Sequence, residues 1–173
     1  MHITSYPSIY AIGHNAVKDI FDGPVVIQEK VDGSQFSFGV EIVWPHGEAI
    51  PGELMCRSRG KQLLLDAPEK MFKRAVEVAR ELQPHLHPRW TYRGEYLEKP
   101  KHNTLAYSRI PKNHIILFDI NVGMEEYATP DVVAQEADRL GLEAVPTVHV
   151  GQVTGLDMFQ AFLERESILG GCK

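Results

Sequence analysis

Residues 24–43, PVVIQEKVDGSQFSFGVEIV, constrain this chain more than any other stretch. Residues 24–30 are an apolar run, 34–43 alternate through Phe36, Phe38 and Val40, and Asp32-Gly33 lies between them. An apolar run meeting an alternating one across a short DG turn predicts a β-hairpin with one face in a core. Further strands are predicted at 53–58, 90–97, 114–122 and 144–150. Three helices are signalled between and after them. Asp66 and Glu69 make a D-x-x-E capping box with Pro68 in the first turn. Met71, Ala75, Ala79 and Leu82 then recur at helical spacing until Pro84. Thr129-Pro130 opens a second helix bearing Val133, Ala137 and Leu140, with Gly141 just past its end. Thr154 and Asp157 start a third, whose Phe159, Phe162 and Leu163 are expected in the core. Strand clusters with inserted helices predict one α+β domain over residues 1–173, its sheets largely antiparallel.

No apolar stretch approaches the ~20 residues a membrane helix needs, and the N-terminus lacks a signal-peptide pattern. Cys56 and Cys172 lie far apart and outside any CxxC spacing, which predicts two reduced thiols and a cytoplasmic setting. The net charge of −5 argues against a nucleic-acid partner, but its distribution does not. Residues 57–114 carry 13 basic and 6 acidic side chains, between flanks of net −5 and −7. Such a basic third can form a positive groove on an acidic body, or a scatter of solvated cations.

The chemistry-bearing residues come in a fixed order. Glu29-Lys30-Val31-Asp32-Gly33-Ser34 is followed by Arg57-Ser58-Arg59-Gly60, then Arg93-Gly94-Glu95-Tyr96, then Leu117-Phe118-Asp119-Ile120. That series resembles motifs I, Ia, III and IIIa of the covalent nucleotidyltransferases, which comprise polynucleotide ligases and mRNA capping enzymes. Glutamate before the lysine and serine after the glycine look most like the RNA ligase branch, near the phage nick-sealing and RNA-editing ligases. The likeness runs over about residues 5 to 165.

The resemblance implies an ATP-dependent RNA ligase with an ATP-grasp-like nucleotidyltransferase core. Lys30 would attack the α-phosphate of ATP, becoming a lysyl-AMP. The AMP would pass to an RNA 5′-phosphate, and a 3′-hydroxyl would displace it to join the RNA ends. Asp32 and Glu95 would hold the waters of Mg²⁺ or Mn²⁺, a hard cation that keeps much of its hydration shell. Phe118 would stack on adenine. Arg57 and Arg59 both suit the ribose or phosphate contact, since a guanidinium forks onto phosphate oxygens, and R-S-R-G favours Arg59. Gly33 and Gly60 would let backbone approach the nucleotide, and Glu29 would meet the purine mainly through its backbone. Residues 98–114 mix Lys99, Lys101, Arg109 and Lys112 with Tyr107 and two histidines, the composition of a strand-binding loop or of a solvated connector. His85 and His87 have no third ligand nearby and read as surface.

Two later motifs of the resemblance, E-G-x-V-x-K and K-x-K, are not found in residues 121–173. The expectation is therefore a core incomplete at its C-terminus, lacking a segment or a partner chain, with impaired activity. The other readings are a fragment of a DNA ligase or an mRNA guanylyltransferase, or a non-catalytic module binding ATP or single-stranded RNA.

Overall fold

The hairpin predicted at residues 24–43 does not form. Its apolar run becomes strand β1 (Val25–Gln28), its alternating run becomes β2 (Ser34–Val43), and the two enter different sheets. The structure, a computed structural model, describes residues 3–43 and 50–172. Strand β2 is flanked by β3 (Ile50–Ser58) and β4 (Thr91–Tyr96), both antiparallel to it. β5 (Ile115–Asn121) adds antiparallel to β4, and β6 (Glu143–Ala144) adds parallel to β5. The order β3-β2-β4-β5-β6 makes the main sheet. β1 pairs instead with β7 (Thr147–Gly151), antiparallel, as a separate two-stranded sheet. The single strand predicted at 144–150 is thus two. Pro146 has no N–H for a ladder, and its carbonyl accepts the Glu29 N–H instead.

Alternation along β2 and β4 separates two layers. Phe36, Phe38, Tyr92 and Tyr96 are fully buried on one face of the main sheet. There they share a core with Ala75, Val76 and Ala79 of helix α1 (Lys73–Leu82) and Val133 and Ala137 of α2 (Pro130–Arg139). A second cluster, including Val31, Leu97, Tyr107, Ile116 and Leu169, lies under the residues that follow β1. The domain is α+β, as predicted, with the one parallel pair among the described strands at β5–β6.

The helices follow the sequence with two departures. α1 starts later than its capping box implies, after a single 3₁₀ turn at Lys70–Phe72. Asp66 bonds Arg80 at 2.8 Å and Glu69 pairs with Lys61, so neither carboxylate caps the helix. α2 begins at Pro130, and Gly141 follows it with a φ of +67°, the left-handed backbone glycine takes without strain. α3 (Leu156–Leu163) sets Phe159 edge-on to Phe21 and Phe162 beside His149. Leu163, expected in the core, is 76% exposed. Among the described residues no helix is long and apolar enough to cross a membrane, and both cysteines are free.

Candidate active site

The face of the main sheet opposite α1 and α2 carries a polar row beside the second cluster. Register sets Ser37 opposite both Arg57 and Arg93, and Arg93 opposite Asp119, so four strands contribute to this row. Arg93 is almost fully buried, and its fork is fully engaged: Nε donates to Asn121 Oδ1 at 2.8 Å, and the terminal nitrogens donate to Ser37 and Thr4. Residues 3–9 lie across this row. Ile3 is buried, Arg57 donates to Ser5 Oγ at 2.6 Å, and Tyr6 donates its hydroxyl to Asp119 at 2.8 Å.

Between that segment and the sheet opens a cleft of about 610 Å³ lined by Lys30, Asp32, Gly33, Arg59, Glu95 and Phe118. A recess of about 250 Å³ continues from it beside Glu29 and Val145, sharing Lys30, Glu95 and Phe118. Lys30 follows β1 outside any strand, held by its buried neighbour Val31, and its side chain is exposed. Glu95 reaches the cleft because Tyr92 and Tyr96 take the opposite face of β4. Phe118 reaches it through a bulge. Arg93 faces Asp119 while Gly94 faces Leu117, which leaves Phe118 without a partner across the ladder. Tyr6 packs edge-on to Phe118 with centroids 5.0 Å apart.

Not every expected residue joins the cleft. Arg59 lines it, whereas Arg57 lies 9% exposed beneath Ser5. Glu29 lines the recess, but its carboxylate is engaged by Ser167 Oγ and the Ile168 N–H. Gly33 is needed for packing against the protein itself: a Cβ there would meet the Tyr96 carbonyl and a Leu97 methyl at 2.8 Å. Gly60 faces open space. In the 98–114 stretch Tyr107 is buried and accepts the Asp32 N–H at 2.7 Å, so its ring is no stacking platform. Arg109 forks onto Glu143 at 2.8 Å for each bond. His87 approaches the buried Glu136 at 3.7 Å. Tyr6 and the segment around it carry no motif and no periodicity, and sequence reasoning passed over them.

The two cleft carboxylates differ. Asp32 accepts N–H bonds from Leu105 and Thr104 at 3.0 and 2.9 Å, which hold its carboxyl below the usual range. Burial pushes Glu95 up to about 7, with Lys30 opposing the rise and Asp32 adding to it. Among the described residues no three His, Cys, Asp or Glu side chains converge to hold a metal directly.

A carboxyl raised from 4.5 to about 7 makes the folded state bind the extra proton. The stability this contributes is fully present below pH 4.5 and is lost as pH rises through about 7. Glu95→Gln, which cannot ionise, is expected to unfold at a higher temperature than the parent at pH 8. The gap should shrink steadily toward pH 4.5. A gap independent of pH in thermal melts would mean that Glu95 ionises normally.

A family model described as RNA ligase matches residues 23–169. No curated protein matches the chain.

Proposed function

The chain belongs to the RNA ligase family, and on that premise we propose that it joins RNA 3′-hydroxyl and 5′-phosphate ends with ATP, through AMP carried on Lys30. The observation that supports the reading most is convergence. Lys30, Arg59, Glu95 and Phe118 come from segments up to 88 residues apart, and all four line one cleft. Glu95 and Phe118 sit on strands, where a slip of one residue would turn the side chain to the opposite face.

In this reading Phe118 and Tyr6 receive the adenine, and the Arg59 guanidinium meets ribose or phosphate. Lys30 Nζ, after losing a proton, attacks the α-phosphorus; the P–N bond forms as the bond to the departing pyrophosphate breaks. An RNA 5′-phosphate oxygen then takes the AMP and Lys30 leaves as the amine. Attack by the 3′-hydroxyl on the RNA phosphorus expels AMP and closes the strand. The hard oxygens of Glu95 and Asp32 suit a hydrated Mg²⁺ or Mn²⁺ held through its waters, and their number does not suit a dehydrated one. Such an ion would supply shielding of phosphate charge. Glu95 must be ionised to hold it, so ATP-dependent labelling should rise with pH.

Lys30 and Arg59 are the cations among the residues described as lining the larger cleft, few for a polyphosphate. Labelling by residues 1–173 alone is therefore expected to be slow. The test is incubation with α-labelled ATP or GTP, acid denaturation and a gel. Label from ATP is expected. Label from GTP alone would make the chain a capping-type transferase, and no label with either after prolonged incubation would reduce it to a binding module. The reduced thiols suit a cytoplasmic setting, with Cys56 pushed up to about 12 by burial.

A further inference from the structure

Lys30 stands on a stretch with no ladder to hold it. β1 ends at Gln28 and β2 starts at Ser34, in a different sheet. A nucleophile on an unpaired segment would sample many positions, and attack on phosphorus needs one. Glu29, bonded to Pro146, Ser167 and Ile168, and the buried Val31 tie the residues on either side of Lys30, and the turn at Asp32–Ser34 needs a support of its own.

That support comes from residues 102–107. Tyr107 Oη accepts the Asp32 N–H at 2.7 Å, and the Thr104 and Leu105 N–H groups both donate to Asp32 Oδ2. Asn103 Nδ2 donates to the Gly33 carbonyl at 2.6 Å. His102 Nδ1 accepts the Glu98 N–H at 3.1 Å, which leaves Nε2 as the protonated nitrogen facing Ser34 Oγ at 2.8 Å. Three consecutive residues, Asp32, Gly33 and Ser34, are thus each gripped by a group from one distant segment. Tyr107 is itself anchored, 6% exposed in the second cluster beside Val31 and Leu97.

We propose that residues 102–107 form a clasp whose His102, Asn103 and Tyr107 are positioning residues for Lys30, with the Asp32 carboxylate as its chief acceptor. The inference rests on the reading of Lys30 as the nucleophile. It also divides the work of the two oxygens of Asp32: Oδ2, occupied by two backbone donors, anchors the turn, while Oδ1 has only a 3.5 Å contact with Asn103.

Two measurements test the clasp on the full chain. Hydrogen exchange read by mass spectrometry needs no activity. In Tyr107→Phe and Asn103→Ala, the peptide spanning residues 29–34 should exchange at least ~10-fold faster, while β4 and β5 keep the parent rate. Unchanged exchange at 29–34 would overturn the clasp, and acceleration everywhere would show a general loss of fold instead. Single-turnover self-adenylylation supplies the second readout. Both variants should lose about 10-fold or more in rate at saturating ATP, with the half-saturating ATP concentration within about threefold of the parent. In the exchange measurement Asp32→Asn, which keeps an acceptor oxygen, should leave residues 29–34 better protected than Asp32→Ala does, and equal exchange in those two would remove the carboxylate from the clasp. A parent chain that takes no label sinks the ligase reading, while the exchange rates still decide the clasp.

Discussion

Lys30→Ala is expected to take up no label from ATP under conditions that label the parent chain. The side chain is exposed at the cleft and bears no hydrogen bond or ion pair with the described residues, so its removal should change stability by only about ±0.5 kcal/mol. Lys30→Arg should fail as completely. A guanidinium keeps the charge but does not give up its proton near neutral pH, so it can greet a phosphate and cannot attack one. The pair of variants separates attraction from chemistry: Lys30→Arg should still bind ATP in a filter or calorimetric assay. Label retained at the parent rate in Lys30→Ala would place the nucleophile elsewhere and undo the assignment of the whole cleft.

Arg93→Ala should produce the largest loss of stability. Four hydrogen bonds tie this guanidinium to β2, β5 and Thr4, and it lies over the Tyr6 ring at 5.9 Å. Truncation strands the Asn121 oxygen and the Thr4 carbonyl, removes the nearest cation from the half-buried Asp119, and leaves a cavity. Breaking a buried network of this kind typically costs about 3 kcal/mol or more. Urea unfolding should show that loss. Limited proteolysis should also find new cutting near residues 4–9, since Arg93 is what holds Thr4 to the sheet. Arg93→Lys should recover little, because an ammonium cannot reach three partners in a plane. A cost below about 1 kcal/mol would mean that residues 4–6 are held mainly by Ile3 and Tyr6.

Much of the fold was legible because short-range physics specified it. The alternation of Phe36, Phe38 and Val40 marked a strand with a core face, and the β4 and β5 segments fell within a residue or two of prediction. Thr129-Pro130 and Gly141 bracketed α2 because proline and glycine act on their own backbone. The failures share a different origin. The DG pair at 32–33 has the chemistry of a tight turn, but Val31 gains more by entering the second cluster, and the donors of 102–107 bind Asp32 in place of a facing strand. Asp66 and Glu69 could cap a helix, yet Arg80 and Lys61 engage them first. Leu163 fits a helical stripe, but no distant surface of the described residues covers it.

The amino-acid sequence by itself determined which residues of the site exist and in what order, since the motif residues Lys30, Asp32, Arg59, Glu95 and Phe118 are a matter of side-chain chemistry. It also determined which face of β4 carries Glu95, because a strand alternates regardless of what surrounds it. Only the tertiary structure decided which of two neighbouring arginines faces the cleft. Arg57 and Arg59 are equivalent by alternation, but Ser5 covers one and leaves the other open. Tertiary structure likewise brought Tyr6 to Phe118 across 112 residues and made Tyr107 a support for the Lys30 turn. Those placements depend on which distant surface a segment buries, and that energy appears only when the two surfaces meet.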